Sequence, residues 1–310
     1  MKIVFMGTPA FAVPMLKAVA TQHEVTLVVT QPDAKKGRRR ALSEPAVKQA
    51  ALALGIPVFQ PSIIGNDITP IAEAEPDVIV TVAYGQFLPS RVLSLAKKDA
   101  INVHASLLPA LRGGAPVQRA IERGHRVTGI SVIRMVKQMD AGPVLVQKRV
   151  AIASDETAGT LFAKLEPLGV EALMDALKQL EDSRATFTAQ DHDNATFAYA
   201  IRRDEEALDF TRDAHALERQ VRAFYPQPNV MTTVSGKRLK VLASAVVPTR
   251  DSAEAGTVID ADNHNLVVRC GREALAFERV HLEGKKPMDV KTFMNGAGRS
   301  LIKTGMKLPS

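Results

Sequence analysis

At 310 residues, with 46% hydrophobic and 24% charged residues, the chain has the length of two ordinary globular domains and enough apolar content to give each a core. No stretch approaches the ~18 consecutive apolar residues of a membrane helix. The single cysteine, Cys270, excludes an internal disulfide, so the expected setting is the reducing cytoplasm and the expected place of Cys270 is a buried strand.

Residues Met1 to Gly7 read as a buried first strand, too short and without the small-residue cleavage site of a signal peptide. After them, short β-branched runs alternate with helical periodicity, the pattern of parallel βαβ units. Strands are predicted at 2–6, 25–30, 78–83, 101–104, 129–135 and 144–151, and the unbroken apolar run of Val78 to Val82 suits a strand covered on both faces. Helices are predicted at 11–20, 45–54 and 89–95, two of them with proline in the first turn. Between Asp155 and Leu180 a longer amphipathic helix places Leu161, Leu165, Leu168, Leu173 and Leu177 on one side despite Pro167. This layout predicts a doubly wound, Rossmann-like α/β domain over 1–186.

Composition then turns polar and aperiodic, and 187–206 reads as a linker. The remainder, 207–310, opens with a helix at 213–224 that carries Leu217, Val221 and Phe224 on one side. Short strands follow at 230–234, 239–242, 257–259, 266–270 and 274–280, with turn residues between them, as in a small barrel or sandwich.

The net charge of +7 favours a polyanionic partner, and its placement says more than its sum. Lys35 to Arg40 puts five cations in six residues, a concentration that repels itself unless an anion binds. From Lys285 onward there are six cations against one acid, Asp289.

The segment Ile101 to Pro109 carries the clearest chemistry. Side chains alternate along a strand, so Asn102 and His104 share one face at its C-terminal end, where open α/β sheets bind ligands. Pro109, Gly113, Gly114 and Pro116 keep the next segment from becoming a helix and leave a defined loop. An amide and an imidazole aimed at one point form an oxyanion site. Asp140, in the turn Lys137 to Pro143, is by itself a turn former, and joins the site only if the fold brings it to Asn102 and His104.

Together, Asn102, His104, Ser106-Leu107-Leu108-Pro109, Arg112-Gly113, Pro116, and Asp140 with Gly142 resemble the signature of folate-dependent formyltransferases. Further stretches are similar to the methionyl-tRNA branch of that family: Gly7-Thr8-Pro9, Thr30-Gln31-Pro32-Asp33, Val82-Ala83-Tyr84-Gly85, Pro57 to Pro61, and Gly284 to Met288. The resemblance implies 10-formyltetrahydrofolate as co-substrate, tetrahydrofolate as product, methionyl initiator tRNA as acceptor, and a monomer with no metal and no covalent intermediate. It implies that Asn102 donates a hydrogen bond to the formyl oxygen, that His104 stabilises the developing charge, and that Asp140 holds His104 and shuttles protons. The folate walls are expected from Ser106, Leu107, Leu108 and Pro109 and from Val82, Tyr84, Gly85 and Leu88. Arg38 is the expected reader of the tRNA end, with Lys35, Lys36, Arg39 and Arg40 as phosphate contacts, and 207–310 is expected to be an OB-like tRNA-binding barrel.

Two departures from the family pattern lie in the second domain. Phe224-Tyr225-Pro226-Gln227-Pro228 stands where Asn-Pro-Trp-Pro is usual, Phe210 stands where a tryptophan commonly ends a motif, and the chain has no tryptophan. Among rivals, a glycinamide ribonucleotide enzyme needs a glycine-rich phosphate loop, whereas Gly7 to Phe11 has one glycine. A nicotinamide-dependent oxidoreductase needs G-x-G-x-x-G after the first strand, which is missing. An amino sugar nucleotide or other small amine remains the alternative acceptor, disfavoured by the basic loop.

Overall fold

The computed structural model describes residues 1–36 and 41–309. The chain divides into two compact units. The first comprises Met1–Pro116, Val127–Ala151 and Phe162–Ala198, and the second Val117–Arg126, Ile152–Leu161 and Tyr199–Ser310. The expected linker at 187–206 is thus shared, its residues up to Ala198 belonging to the first unit and those from Tyr199 to the second.

In chain order the elements begin β1 (Lys2–Gly7), α1 (Val13–Gln22), β2 (Glu24–Val29), β3 (Ala34–Lys36), β4 (Ala41–Ser43), α2 (Ala46–Ala53), β5 (Val58–Phe59) and α3 (Thr69–Glu73). They continue with β6 (Val78–Val82), α4 (Ser90–Leu93), β7 (Asp99–His104), α5 (Pro116–Glu122), β8 (Val127–Arg134), β9 (Val144–Ala151) and α6 (Ala158–Glu181). One seven-stranded sheet has the order β5-β2-β1-β6-β7-β8-β9. Pairing is parallel from β5 through β7 and antiparallel from β7 to β8 and β8 to β9. The parallel βαβ units read from the sequence thus run from β5 through β7, and the far side of the sheet is antiparallel. The residues between β8 and β9 are too few for the dozen-residue crossover that parallel strands need, so the chain doubles back as a hairpin.

Apolar side chains cover both faces of this sheet. On one, Val4, Met6, Leu27, Val29 and Ile79 pack with Ile64, Ile71, Leu88 and Val92. On the other, α6 lies against α1 and β8: a Cβ at Gly169 would fall 2.6 Å from the Met15 side chain and 3.8 Å from that of Ile130. Phe11 and Phe162 meet edge to face with ring centroids 5.5 Å apart. All five residues of β6 are buried, as a strand covered twice requires.

The second unit holds α7 (Ala214–Phe224), then β10 (Val230–Val234), β11 (Lys237–Val247), β12 (Val258–Asp260), β13 (Val267–Arg269), β14 (Ala274–Leu282) and β15 (Met288–Asp289). The Asp213 carboxylate caps α7 by accepting the His215 N–H at 2.8 Å. Its strands form an antiparallel sheet in the order β10-β11-β14-β13-β12, with β15 on β14. Leu217, Val221 and Phe224 of α7 are buried as the periodicity predicts, and Cys270 is fully buried. Phe210, standing where the family usually has tryptophan, is also fully buried and stacks on Phe277 at 6.5 Å, so an aromatic core position is filled by a smaller ring.

Gly129 shows how tightly the sheet carries the loop after β7. A Cβ there would lie 2.0 Å from the Lys148 carbonyl oxygen of β9 and 2.7 Å from the Leu107 side chain. Gly129→Ala is expected to destabilise the first unit by about 1–3 kcal/mol, the usual penalty of overpacking. A denaturant midpoint equal to that of the unmodified chain would show that β9 and Leu107 yield freely.

Candidate active site

The register between β6 and β7 pairs Thr81 with Asn102. The Thr81 hydroxyl donates to Asn102 Oδ1 at 2.8 Å, which fixes which end of the amide is the acceptor. Nδ2 is thereby turned toward Asp140 and donates to its Oδ1 at 3.4 Å, a long bond. Two residues on, His104 is 6% exposed and its Nε2 lies 2.9 Å from the Leu111 carbonyl. A carbonyl only accepts, so Nε2 carries hydrogen and donates. The other ring nitrogen, Nδ1, faces Asp140 Oδ2 at 3.6 Å, within ion-pair range and beyond a hydrogen bond.

The fold thus brings together all three residues singled out for catalysis. Asp140 has φ 51°, the left-handed region that asparagine and aspartate enter more readily than most residues. Its Oδ2 accepts the Gly113 N–H at 2.8 Å. Gly113 itself has φ 120°, and a Cβ there would stand 2.7 Å from the Ala198 carbonyl oxygen. Gly142 admits no side chain either, because its Cβ would lie 1.8 Å from the Arg134 carbonyl oxygen. Sequence reasoning missed Thr81, the Leu111 carbonyl, the Gly113 N–H and Gln190, which bonds to the Asp140 turn. Thr81 left one faint signal, a hydroxyl within a run of β-branched apolar residues.

The residues expected to wall the folate fall into two classes. Ser106 is buried and donates to the Ala110 carbonyl at 2.6 Å, so its hydroxyl shapes its own loop. Leu108 is held by the Ser131 hydroxyl, 3.1 Å from its N–H, and by Gln147 Nε2, 2.7 Å from its carbonyl. Val82, Tyr84 and Leu88 are buried, Tyr84 and Leu88 within the apolar cluster under β1 and β6. Burial pushes the Tyr84 phenol up to about 12, so at neutral pH it is uncharged. The Tyr84 carbonyl accepts from the Thr8 hydroxyl at 2.8 Å and from Gln31 Nε2 at 3.2 Å. Gly85 is exposed with φ 91°, and Leu107 and Pro109 are half-buried.

Of the basic run, Arg38, Arg39 and Arg40 lie outside the described residues, while Lys35 and Lys36 belong to β3. The antiparallel pairing of β3 with β4 brings Lys35 opposite Leu42 and Lys36 opposite Ala41. Its base is clipped by Lys48, whose Nζ lies 2.7 Å from Asp33 and 2.9 Å from Glu44. These two bonds hold the Lys48 ammonium above the usual lysine range, and Asp33 is held below the usual carboxylate range by Gln60 and then by Lys48.

In the second unit, Asp213, His215 and Glu273 offer ligand atoms within 4.8 Å of one another. They are already paired: His215 Nε2 is 2.9 Å from Glu273, and the Arg272 cation is 3.1 Å from Asp213.

Residues 1–177 match the formyl transferase family, and residues 200–298 match the formyl transferase C-terminal domain. A methionyl-tRNA formyltransferase of Listeria innocua is 42% identical over 306 residues, 98% of this chain and 98% of its own. Among solved structures, a methionyl-tRNA formyltransferase from Clostridium thermocellum superposes with a TM-score of 0.57 at 16% identity, over 80% of this chain and 94% of that one. A sugar 3N-formyl transferase, WlaRD, in the presence of dTDP and 5-N-formyl-THF, superposes with a TM-score of 0.64 at 17% identity, over 92% and 99%. The two structural likenesses establish the fold alone. Among the described residues no helix is long and apolar enough to cross a membrane.

Thr81→Val preserves shape and removes the one hydroxyl that orients the Asn102 amide. It is expected to leave the melting temperature within a few degrees and to lower turnover about tenfold, the weight of one ~1.4 kcal/mol preference. Unchanged turnover would show that Asn102 is oriented without it.

Proposed function

Since the chain belongs to the formyl transferase family, and by identity along nearly its whole length to the methionyl-tRNA formyltransferases, we propose that it moves the formyl group of 10-formyltetrahydrofolate onto the α-amino group of methionyl initiator tRNA. The observation that carries this reading is the convergence of an amide, an imidazole and a carboxylate where β7 ends. The product is tetrahydrofolate, and a role in translation initiation belongs to the cytoplasm.

The reaction is a direct amine attack. One C–N bond forms between the amine and the formyl carbon, negative charge gathers on the formyl oxygen, and the bond to the folate nitrogen then breaks. The amine gives up one proton and the folate nitrogen takes one. Asn102 spends one Nδ2 hydrogen on Asp140 at 3.4 Å, leaving the other for the formyl oxygen. His104 commits Nε2 to Leu111 and keeps Nδ1 for the reaction. With a proton on Nδ1 the ring is a cation beside the oxyanion, matched by the Asp140 carboxylate at 3.6 Å. Asp140 has both oxygens anchored, which suits it to accept the amine proton and pass it to the leaving nitrogen.

The folate is assigned to the groove edge formed by Ser106 to Pro109 and Val82 to Leu88. Leu107, Pro109 and Gly85 offer the open surface there, while Val82, Tyr84, Leu88 and Leu108 support it from beneath. Acceptor recognition is assigned to the basic hairpin, with Arg38 reading the tRNA end and Lys35, Lys36, Arg39 and Arg40 neutralising phosphates, and to the antiparallel domain over 207–310. The sugar-nucleotide alternative shares the fold, but the near-full-length identity to methionyl-tRNA formyltransferases and the basic run both support tRNA.

Single-turnover transfer of labelled formyl is expected with methionyl initiator tRNA and not with methionyl elongator tRNA. Asn102→Ala should slow the initiator reaction by about 10²–10³, the weight of one oxyanion donor. Transfer to small amines in place of initiator tRNA would refute the acceptor. A second prediction concerns the hairpin base: Lys48→Met should raise the KM for tRNA several-fold and the KM for folate much less. Equal rises in both would sever the hairpin from acceptor binding.

A further inference from the structure

Gln190 lies outside every motif, in the stretch expected to be a linker, yet it is buried and its whole amide is engaged. Nε2 donates to the Asp140 carbonyl at 2.8 Å and to the Gly142 carbonyl at 2.7 Å. Oε1 accepts from Arg112 Nε at 3.1 Å and from Arg112 Nη2 at 2.7 Å. Two hydrogens and two lone pairs are the full capacity of the group, so this amide is saturated. Its partners are not arbitrary. Arg112 sits between Leu111, whose carbonyl accepts the hydrogen bond of His104 Nε2–H, and Gly113, whose N–H holds Asp140. The 190–198 segment is tied to the same stretch by Arg112 N–H to the Thr196 carbonyl at 2.8 Å and Ala198 N–H to the Arg112 carbonyl at 2.7 Å.

We propose that Gln190 is a positioning residue for Asp140. Its amide grips the carbonyls on both sides of Ala141 and so holds a left-handed aspartate with its carboxylate against His104 and the Gly113 N–H. The proposal rests on the reading of Asp140 as the proton acceptor. Gln190 touches neither substrate nor reacting atoms, and it acts by joining the turn that carries Asp140 to the loop that carries the partners of His104. Arg112 completes the join, its Nε and Nη2 both donating to Gln190 Oε1 while Nη2 also lies 3.1 Å from His192 Nδ1.

Gln190→Glu separates this role from mere folding. The carboxylate keeps the acceptor for Arg112 as a buried charge pair, but it has no N–H for the Asp140 and Gly142 carbonyls. The kcat for formyl transfer is expected to fall about 10- to 100-fold, the scale of misplacing a catalytic group by about 1 Å. KM values for folate and tRNA should stay within about twofold and the melt should stay cooperative, since binding surfaces are untouched. In an Asp140→Asn background the same substitution should cause no further loss, because the group being positioned is gone. Gln190→Met, of similar length and without polar atoms, is carried through the same cycle, so the result does not depend on how the glutamate variant folds. Full kcat in either folded variant overturns the proposal. Equal losses in both backgrounds overturn it too, by showing that Gln190 acts independently of Asp140. If Asp140→Asn itself keeps full rate, the proton-acceptor reading fails first and takes this one with it, an outcome distinct from additivity.

Discussion

The hydrogen bond from His104 to the Leu111 carbonyl is the contact on which the site depends. It commits Nε2 as a donor and so leaves Nδ1 turned toward the Asp140 carboxylate. Had the partner been a hydroxyl or a water, either tautomer would fit and the ring would present a mixture. The carbonyl reaches the ring because Leu111 adopts φ 62°, a left-handed turn that folds the loop after β7 back onto the strand it has just left. Two residues later the same loop supplies the Gly113 N–H to Asp140. One bend therefore determines both the state of the imidazole and the place of the carboxylate.

Three non-glycine residues with left-handed backbone follow the strands that carry this site. Ala83, Leu111 and Asp140, with φ of 48°, 62° and 51°, stand in the loops that follow β6, β7 and β8. Non-glycine residues in that region cost about 1–3 kcal/mol each and persist only where their surroundings over-determine them. Here the surroundings are the buried strands of the sheet, the hydroxyls of Thr8 and Ser131, and the amides of Gln31, Gln147 and Gln190. Neutral amides and hydroxyls can grip backbone carbonyls and N–H groups without adding charge. The His104 ring and the Asp140 carboxylate then face each other at 3.6 Å, with the buried Arg112 guanidinium held away from them by the neutral Gln190 amide.

Legibility followed the range of the interaction. Strand and helix positions were readable because they come from local periodicity: the predicted strand at 78–83 is β6, and the helix at 213–224 is α7 with its aspartate cap. Asn102 and His104 were readable as a pair because alternation alone puts them on one face. Asp140 carried no local sign beyond a turn, and only the family pattern joined it to them. The direction of β8 and β9 was hidden, since apolar runs look alike in either sense. The two-residue β5 and the three-residue β3 and β4 were too short for any period to show. Thr81 and Gln190 were hidden more deeply, because the partners through which they matter, Asn102 for one and Asp140, Gly142 and Arg112 for the other, lie 21 or more residues away. A polar, aperiodic stretch such as the one around Gln190 looks like spacer when the hydrogen bonds that tie it to the site are long-range.

The division between chemistry and acceptor choice comes from where each set of groups is anchored. Amide, imidazole and carboxylate hang on β7 and the β8–β9 turn. The basic run hangs instead on the hairpin after β2, outside that set. Five cations between Asp33 and Glu44 would drive the two ends of their own loop apart. Acids on either side of the run, Asp33 and Glu44, are bridged by the single ammonium of Lys48, which ties the base of the β3–β4 pair together. Asp33 is in turn held by Gln60, which also donates to the Gln31 carbonyl at 2.9 Å, and Gln31 reaches the Tyr84 carbonyl beside the assigned folate wall. Hairpin base and folate wall thus share an unbroken line of hydrogen bonds.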